Sequence, residues 1–236
     1  MRYANKIVLV TGSRRGVGKL VVEHFLGESA QVIGFSRHED EASATANYTA
    51  LVVDVSDPDS VTHGFEQVRK RFGRVDIVIN NAAVLTSQYS MIMPASAARD
   101  MLNTNILGTF LVSREAAKLM RKNKWGRIIN VGSMAASLEP IGDSVYAASK
   151  AAISSLANVM AKEFASLNIT CNTLGISGIA TDMLGQLPKD RINEVIASIT
   201  LPRYATPDDI FNVIDFFASE RSAYITAQTV FLGGVN

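Results

Sequence analysis

Several features of specialised protein classes are scarce in this chain. It has one cysteine, Cys171, in 236 residues, which excludes an internal disulfide and is typical of a reducing compartment. Lys and Arg total 23 against 22 for Asp and Glu, so no net charge favours nucleic acid or a membrane surface. No apolar run approaches the roughly 20 residues that cross a bilayer, and the first residues lack a signal-peptide pattern. We therefore expect a cytoplasmic protein that binds neither nucleic acid nor membrane.

What the chain does have is a regular alternation of β-branched runs and longer helical stretches. The predicted strands are Lys6–Thr11, Ala30–Ser36, Thr49–Val53, Val75–Ile79, Arg127–Val131, Ile169–Leu174 and Gln228–Leu232. The predicted helices are Gly16–Glu28, Pro58–Phe72, Ser96–Asn123, Ser144–Ser166 and Pro207–Ser219. Several strands are apolar on both faces, which is typical of a parallel sheet covered by helices on each side. The pattern predicts one α/β domain over residues 1–236, doubly wound around a mainly parallel seven-stranded sheet.

One irregular segment, residues 175–203, lies between the sixth strand and the last helix. It is punctuated by Gly, Pro and Thr, and we interpret it as a flap on the substrate side rather than a domain boundary. Its apolar residues Met183, Leu184 and Leu187 are suited to cover a ligand, although such residues more often close a core.

The first strand runs directly into a glycine-rich turn that precedes a helix. The turn contains Gly12, Ser13, Arg14, Arg15, Gly16, Val17 and Gly18. Gly12 permits a tight turn, Gly16 lets the backbone approach a pyrophosphate, and Gly18 lets the helix pack closely on the strand. The N–H groups at the start of the helix would hold the phosphates. The alternative is a turn that binds nothing, which the strand–turn–helix context makes the weaker interpretation.

The end of the second strand indicates which dinucleotide is bound. Enzymes that use NAD usually have an acidic side chain there for the ribose hydroxyl, whereas this chain has Ser36 followed by Arg37. A 2′-phosphate would be repelled by a carboxylate and held by guanidinium groups. With Arg14 and Arg15 in the neighbouring loop, we favour NADP(H), although each arginine taken singly is explained as well by a solvated surface.

A tyrosine and a lysine four residues apart form the candidate catalytic pair. Tyr146 and Lys150 share one face of a predicted helix, and Ser133 lies 13 residues before the tyrosine, just after a strand. An ammonium beside a phenol favours the phenolate, so we expect the pKa of Tyr146 below its free value and a role in proton transfer. Ser133 would polarise a substrate carbonyl. The pair alone also occurs by accident in helices that simply pack.

The whole set of motifs resembles the classical short-chain dehydrogenases/reductases over nearly the full chain. The matching elements are the glycine turn, Asp54, Asn80-Asn81-Ala82-Ala83, Asn105, Ser133, Tyr146 and Lys150. The resemblance implies a Rossmann-type fold and an enzyme in which Tyr146 is the general acid or base. It further implies that Lys150 binds the nicotinamide ribose and lowers the tyrosine pKa, that Ser133 holds the reacting oxygen, and that Asn105 supports a water relay.

The same resemblance implies further contacts to the cofactor. Asp54 and Val55 would border the adenine, and Asn81 and Ala82 would lie along the cofactor. Ile179 and Thr181 match the segment that meets the carboxamide. Two positions depart from the family pattern: Ala83 replaces a glycine, and Ser177 replaces a proline. No metal is implied.

Within the family, the closest likeness is to the β-ketoacyl carrier-protein reductases. It rests on residues 160–164, 169–172 and 223–229, and it implies reduction of a 3-oxoacyl thioester to the 3-hydroxyacyl form. Two alternatives remain open. One is a dehydrogenase of another small alcohol, sugar or polyketide carbonyl, and the other is a non-catalytic NADP-binding regulatory protein, since fold alone does not prove activity.

The resemblance also implies partners. An acyl carrier protein is acidic and would need a basic surface near the active-site mouth, for which the candidates are Arg121, Lys122, Lys124 and Arg127. A solvated helix end explains them equally well. Small residues of the helix Ser144–Ser166, namely Ala147, Ala148, Ala151, Ala152 and Ser155, would admit a second helix, as in the tetramers (or dimers) that the family commonly forms. Packing against the sheet of the same chain is the alternative.

Overall fold

The computed structural model describes residues 1–39, 46–179, 193–194 and 196–235. Within them, seven strands form one sheet in the order β3-β2-β1-β4-β5-β6-β7, and every neighbouring pair is parallel. The strands are β1 (Ile7–Thr11), β2 (Gln31–Ser36), β3 (Tyr48–Val52), β4 (Ile77–Asn80), β5 (Gly126–Ser133), β6 (Ile169–Ile176) and β7 (Thr229–Phe231). The predicted doubly wound α/β fold is confirmed.

Helices cover both faces of this sheet. They are α1 (Gly16–Gly27), α2 (Pro58–Phe72), α3 (Ala95–Leu102), α4 (Thr109–Met120), α5 (Ala135–Leu138), α6 (Ser144–Phe164) and α7 (Pro207–Ala218). One core cluster packs α1 and α7 on the sheet, and the other packs α2, α4 and α6 on the opposite face. All five residues of β1 are buried, which explains why its sequence is apolar without alternation. None of the helices in the described ranges is both long and apolar enough to span a bilayer.

Two helix starts carry side-chain caps that satisfy the free N–H groups of the first turn. At α2, the Asp57 carboxylate accepts from the Asp59 N–H at 3.0 Å. At α7, Thr206 and Asp209 form a capping box, with Pro207 at the first helical position. The two helices thus begin at Pro58 and Pro207, the residues where the sequence predicted them to begin.

The predicted helix Ser96–Asn123 is observed as a continuous helical stretch, Ala95 to Met120, but it is not α-helical throughout. Between α3 and α4 the chain forms a π-helical turn, Asn103–Gly108. The side chain of Asn105 accepts from the Val84 N–H at 2.9 Å and donates to the Val84 carbonyl at 3.1 Å. A Cβ at Gly108 would lie 2.8 Å from Val55 Cγ2. Contacts with distant residues hold Asn105 and Gly108 in the π-helical turn. The helical periodicity of the sequence therefore did not predict the turn.

The predicted flap is only partly within the described ranges. Residues 180–192 and 195 lie outside them, and with them Thr181, Met183, Leu184 and Leu187. The far end of the segment is bonded to the chain terminus, because the Thr200 N–H donates to Gly234 O and the Leu201 N–H to Gly233 O, each at 2.9 Å.

Candidate active site

A cavity of about 520 Å³ opens at the carboxyl edge of the sheet. There the strand order reverses between β1 and β4, so the loops that follow these strands diverge and leave a crevice. Its lining includes the predicted residues Gly12, Arg14, Arg15, Gly16, Val17, Ser36, Arg37, Asp54, Val55, Asn81, Ala82, Ala83, Ser133, Tyr146, Lys150 and Ile179. The volume is that of a small-molecule or cofactor site.

Three predicted residues are not part of this lining, and a fourth cannot be assigned. Ser13 is buried and its hydroxyl points to the Phe35 carbonyl at 3.5 Å. Gly18 is packed against the turn, where a Cβ would lie 2.1 Å from Gly12 O. Asn105 is fully buried behind the cavity wall. Thr181 lies outside the described residues.

Gly12 lets the turn after β1 pack closely on the loop after β4. Gly12 has φ +66°, and a Cβ there would lie 3.0 Å from Asn81 Nδ2 and 3.1 Å from the Ala82 Cα. Helix α1 begins directly afterwards, so its free N–H groups face the same end of the cavity. A positive helix end that opens into the cavity fits a pyrophosphate.

Thr11, which was predicted as the end of a strand but not as a site residue, connects the two cofactor loops. Thr11 Oγ1 accepts from the N–H groups of Asn81 (3.0 Å) and Ala82 (2.9 Å), and Asn81 Nδ2 donates to Thr11 O at 2.9 Å. The loops after β1 and β4 are therefore held in one position. The sequence signal for Thr11 is its position at the end of a buried apolar strand, because a polar side chain buried there needs a hydrogen-bond partner.

Next to the glycine turn, basic side chains surround the end of β2. Arg14, Arg15 and Arg37 line it with exposed side chains. Ser36 donates its hydroxyl hydrogen to the His38 carbonyl at 2.5 Å, which turns the chain after the strand. His38 also lines the cavity; it was not predicted as a site residue, although it directly follows Arg37.

Ser133, Tyr146 and Lys150 meet at the mouth of the cavity. Ser133 is the last residue of β5. Its hydroxyl accepts from the Ala135 N–H at 3.1 Å and acts to lower the pKa of Tyr146. Tyr146 and Lys150 lie on one face of α6, 8% and 3% exposed. Lys150 Nζ donates to the Val131 carbonyl at 2.9 Å and lies 5.8 Å from the Tyr146 ring centroid. The three predicted side chains are thus brought together.

The predicted direction of the tyrosine pKa is wrong for this arrangement. Burial raises the pKa of Tyr146 to about 12, against the lowering effect of the Ser133 hydrogen bond, and the charge of Asp143 raises it further. Burial also lowers the pKa of Lys150 to about 8. Desolvation disfavours the charged form of both groups, and it outweighs the attraction that sequence spacing suggested.

The two departures from the family pattern leave the site intact. Ala83 lines the cavity without closing it, and Ser177 is buried in the lining beside Gly178 and Ile179. Among the described residues, no group of three or more His, Cys, Asp or Glu side chains could hold a metal.

The predicted basic patch near the mouth is wrong for a single chain. Arg127 is fully buried, with its guanidinium 4.6 Å from the centroid of the Trp125 ring. Arg121, Lys122 and Lys124 are exposed, but they precede β5 and therefore lie at the amino edge of the sheet, opposite the cavity. In a parallel sheet, residues that precede the strands lie at the opposite edge from residues that follow them.

The chain is similar to a known protein family and to curated members of it. Residues 6–192 match the family model described as short chain dehydrogenase. The chain is 34% identical over 239 residues to the 3-oxoacyl-[acyl-carrier-protein] reductase FabG of Escherichia coli (strain K12), covering 99% of this chain and 98% of the relative. It is 32% identical over 242 residues to the reductase of the same name from Pseudomonas aeruginosa, with the same coverage.

Solved structures at more than 25% identity share this fold. The ligand-free aldohexose dehydrogenase of Thermoplasma acidophilum has a TM-score of 0.88 and 26% identity, covering 98% of this chain and 94% of that one. ElxO with NADP bound has a TM-score of 0.88 and 28% identity, covering 96% of each chain.

Proposed function

This chain belongs to the short-chain dehydrogenase family and is an oxidoreductase, and from that premise we propose that it reduces a carbonyl to an alcohol with NADPH. The preferred substrate is a 3-oxoacyl thioester carried by an acyl carrier protein. One observation carries the proposal: a single cavity has arginines at one end and Ser133, Tyr146 and Lys150 at the other.

The choice of NADP(H) follows from charge at the end of β2. Arg14, Arg15 and Arg37 surround a position where Ser36 replaces the usual carboxylate. Guanidinium groups bind a phosphate in paired hydrogen bonds, so the extra 2′-phosphate would add affinity here. The similarity to ElxO, which binds NADP, supports the same choice.

In the proposed reaction, the bound cofactor supplies the hydride and the protein supplies the proton. Tyr146 donates the proton of its hydroxyl to the carbonyl oxygen as the carbon is reduced. Ser133 donates a hydrogen bond to the same oxygen and thereby holds it beside Tyr146. A tyrosine with a raised pKa stays protonated at neutral pH, which suits a donor in the reductive direction.

Lys150 is proposed to supply positive charge beside Tyr146 and to hold the cofactor ribose. Its ammonium is buried and held by the Val131 carbonyl, so it enters the site with little freedom to move. Asn105 is proposed to support the proton relay through the main chain of the π-helical turn, since its side chain is occupied by Val84 and Ser149.

The thioester substrate is proposed from the relatives. Full-length similarity to 3-oxoacyl-[acyl-carrier-protein] reductases at 32–34% identity supports a carrier-linked 3-oxoacyl group. The second candidate, a sugar or another small alcohol, is supported by the likeness to an aldohexose dehydrogenase. The two classes use the same catalytic side chains and differ in what fills the substrate side of the cavity.

Self-association through α6, as a dimer or tetramer, is part of the proposal. Ala148, Ala151, Ser155 and Val159 are all exposed, and their spacing puts them on one helix face. The small side chains of Ala148, Ala151 and Ser155 let another helix approach closely, and Val159 adds an exposed apolar surface. Ala147, by contrast, is buried within the chain.

The first test measures initial rates with acetoacetyl-CoA, a panel of sugars, and either NADPH or NADH. We expect NADPH oxidation with the thioester and a loss of roughly 10²–10⁴-fold in Tyr146→Phe. Arg37→Ala should raise KM for NADPH about tenfold or more and leave that for NADH unchanged, with Arg99→Ala as the exposed control. Turnover of sugars alone would support the second candidate, and NADPH binding without any turnover would support a regulatory protein.

A further inference from the structure

One acidic side chain lies at the catalytic end of the cavity and has so far no assigned role. Asp143 lines the same cavity as Tyr146 and Lys150, and it is only 6% exposed. Among the described lining residues, Asp54 is the only other acidic one. Asp54 follows β3, and its carboxylate accepts from the N–H and the hydroxyl of Ser56 at 2.9 and 2.7 Å. In the described part of the lining, Asp143 is therefore the carboxylate that lies near the reacting groups.

The position of Asp143 in the chain would ordinarily give its side chain a different task. It is the residue directly before α6, where an aspartate usually accepts a hydrogen bond from an N–H group of the first helical turn. The Asp143 side chain makes no such capping bond, and its main-chain carbonyl accepts from the Ala147 N–H at 2.7 Å. The carboxylate thus belongs to the cavity wall rather than to the end of the helix that it precedes.

Asp143 is close enough to Tyr146 for its charge to act on the reacting group. The two residues are three apart at the start of α6, which puts them on one side of the helix, and the negative charge of Asp143 raises the pKa of Tyr146. Charges act most strongly on each other in apolar surroundings. The surroundings here are apolar, since the neighbouring lining consists of Val84, Leu85, Met134, Ala135, Pro140 and Ile176. A second negative charge would therefore be costly at this end of the cavity.

The basic side chains of the cavity have other positions or other partners. Arg14, Arg15 and Arg37 line it next to the glycine turn. Lys150 lies at the catalytic end, where its ammonium donates to the Val131 carbonyl at 2.9 Å and burial lowers its pKa to about 8. In the proposed function Lys150 also holds the cofactor ribose. Among the described residues, Asp143 is therefore the charged side chain that faces the substrate.

We propose that Asp143 is a specificity-determining residue that excludes free 3-oxo acids and restricts the enzyme to their neutral esters and thioesters. The inference rests on the proposed function, in which the carbonyl oxygen lies against Ser133 and Tyr146. A free 3-oxo acid carries its carboxylate two bonds from the reacting carbon, so this second negative charge enters the apolar end of the cavity together with that of Asp143. Like charges repel each other there. Esterification removes the charge of the substrate and leaves its ketone unchanged.

The test compares acetoacetate with methyl acetoacetate, which is neutral and one methyl group larger, so that size does not explain a preference for the ester. Initial rates with NADPH at pH 7 give kcat/KM for both substrates. The variant Asp143→Asn keeps the shape of the side chain and removes its charge, and Asp143→Ser, which also lacks the charge, is measured beside it. Glu139→Gln is the matched control, because Glu139 is exposed and lies in the same loop but outside the described lining.

We expect wild-type enzyme to favour methyl acetoacetate over acetoacetate by about 100-fold or more in kcat/KM. This ratio should fall roughly tenfold or more in Asp143→Asn and Asp143→Ser, because acetoacetate is no longer repelled, and it should stay within twofold of wild type in Glu139→Gln. Loss of the Asp143 charge also changes the pKa of Tyr146. That change affects the reduction of both substrates equally and therefore cancels in the ratio.

Two results would overturn the role of Asp143 while leaving the proposed function in place. One is a wild-type enzyme that reduces acetoacetate as efficiently as its methyl ester, which needs no variant. The other is an Asp143→Asn or Asp143→Ser enzyme that melts like wild type and keeps the wild-type ratio. If wild-type enzyme reduces neither methyl acetoacetate nor acetoacetyl-CoA with NADPH, the proposed function itself fails, and the inference fails with it.

Discussion

At the amino edge of the sheet, charged side chains are paired with each other, whereas at the carboxyl edge the buried ammonium of Lys150 is held by a backbone carbonyl. Asp215 accepts from Tyr3 Oη at 2.7 Å and contacts His24 Nε2 at 2.9 Å and the Arg2 guanidinium. Within the described ranges, no acidic side chain forms an ion pair with Lys150.

The pKa directions follow from this difference. Burial opposes ionisation of Asp215, but hydrogen bonds from His24 and Tyr3 and the charge of Arg2 outweigh it, so its pKa lies below the ordinary value. At Lys150 nothing offsets burial, and its pKa is lowered. The paired carboxylate of Asp215 joins the N-terminal segment to α1 and α7. The unpaired ammonium of Lys150 has a pKa close to neutral pH, which suits a reactive group but lowers the stability of the fold.

The comparison predicts opposite effects of Lys150→Met on activity and stability. Reduction of acetoacetyl-CoA should fall roughly 10²–10⁴-fold. The free energy of unfolding at pH 7 should rise by roughly 1–3 kcal/mol, because each unit of pKa shift corresponds to about 1.4 kcal/mol and the lost Val131 hydrogen bond offsets part of the gain. Denaturant melts and steady-state rates measure the two effects. A destabilised variant would contradict the view that Lys150 is costly to the fold.

The second prediction concerns the paired edge. Asp215→Ala should lower the free energy of unfolding by roughly 2–3 kcal/mol, since it leaves Tyr3 and His24 without their acceptor, and kcat should stay within twofold. Asp208→Asn on the same helix is the matched control, exposed and expected to change stability by less than about 1 kcal/mol. If Asp215→Ala instead reduced kcat without loss of stability, the two edges would not be separate in function.

The third prediction uses pH to measure how the charge of Lys150 affects the free energy of unfolding. The folded-state pKa of Lys150, about 8, lies below its ordinary value of 10.5, so the unfolded chain binds more protons between these values. The stability difference between Lys150→Met and wild type should be fully present below pH 8. It should fade as pH rises from about 8 to about 10.5, where wild-type Lys150 is neutral in the fold. Chemical denaturation at a series of pH values tests this, and a difference independent of pH would exclude a charge effect.

The smallest effect is expected at the other end of α7. Thr206→Ala removes the cap that faces the carboxyl edge and should cost about 1 kcal/mol, less than Asp215→Ala at the amino end of the same molecule. Thermal melts of the two variants compare them directly. Thr206→Ser, which keeps the hydroxyl, should behave as wild type.

Much of the fold and of the candidate site could be predicted because the signals are local. The caps at Asp57 and Thr206 and the glycine turn depend on residues within a few positions of each other. The lining of the cavity follows from strand order, since parallel strands bring their carboxyl ends to one edge. Residues after strands, such as Ser133 and Asn81, were therefore predicted together before their distances were known.

The tertiary structure decided those properties that depend on burial and on distant partners, which sequence spacing does not report. The four-residue interval between Tyr146 and Lys150 suggested a lowered tyrosine pKa, but burial, which no local pattern reports, raises it. Arg127 was expected at the surface and is buried on Trp125. The π-helical turn at Asn105 depends on contacts with Val84 and Ser149, which are far away in sequence. The sequence by itself determined which chemical groups the chain carries and in what order, and only folding determined the solvent exposure and partners that set their ionisation.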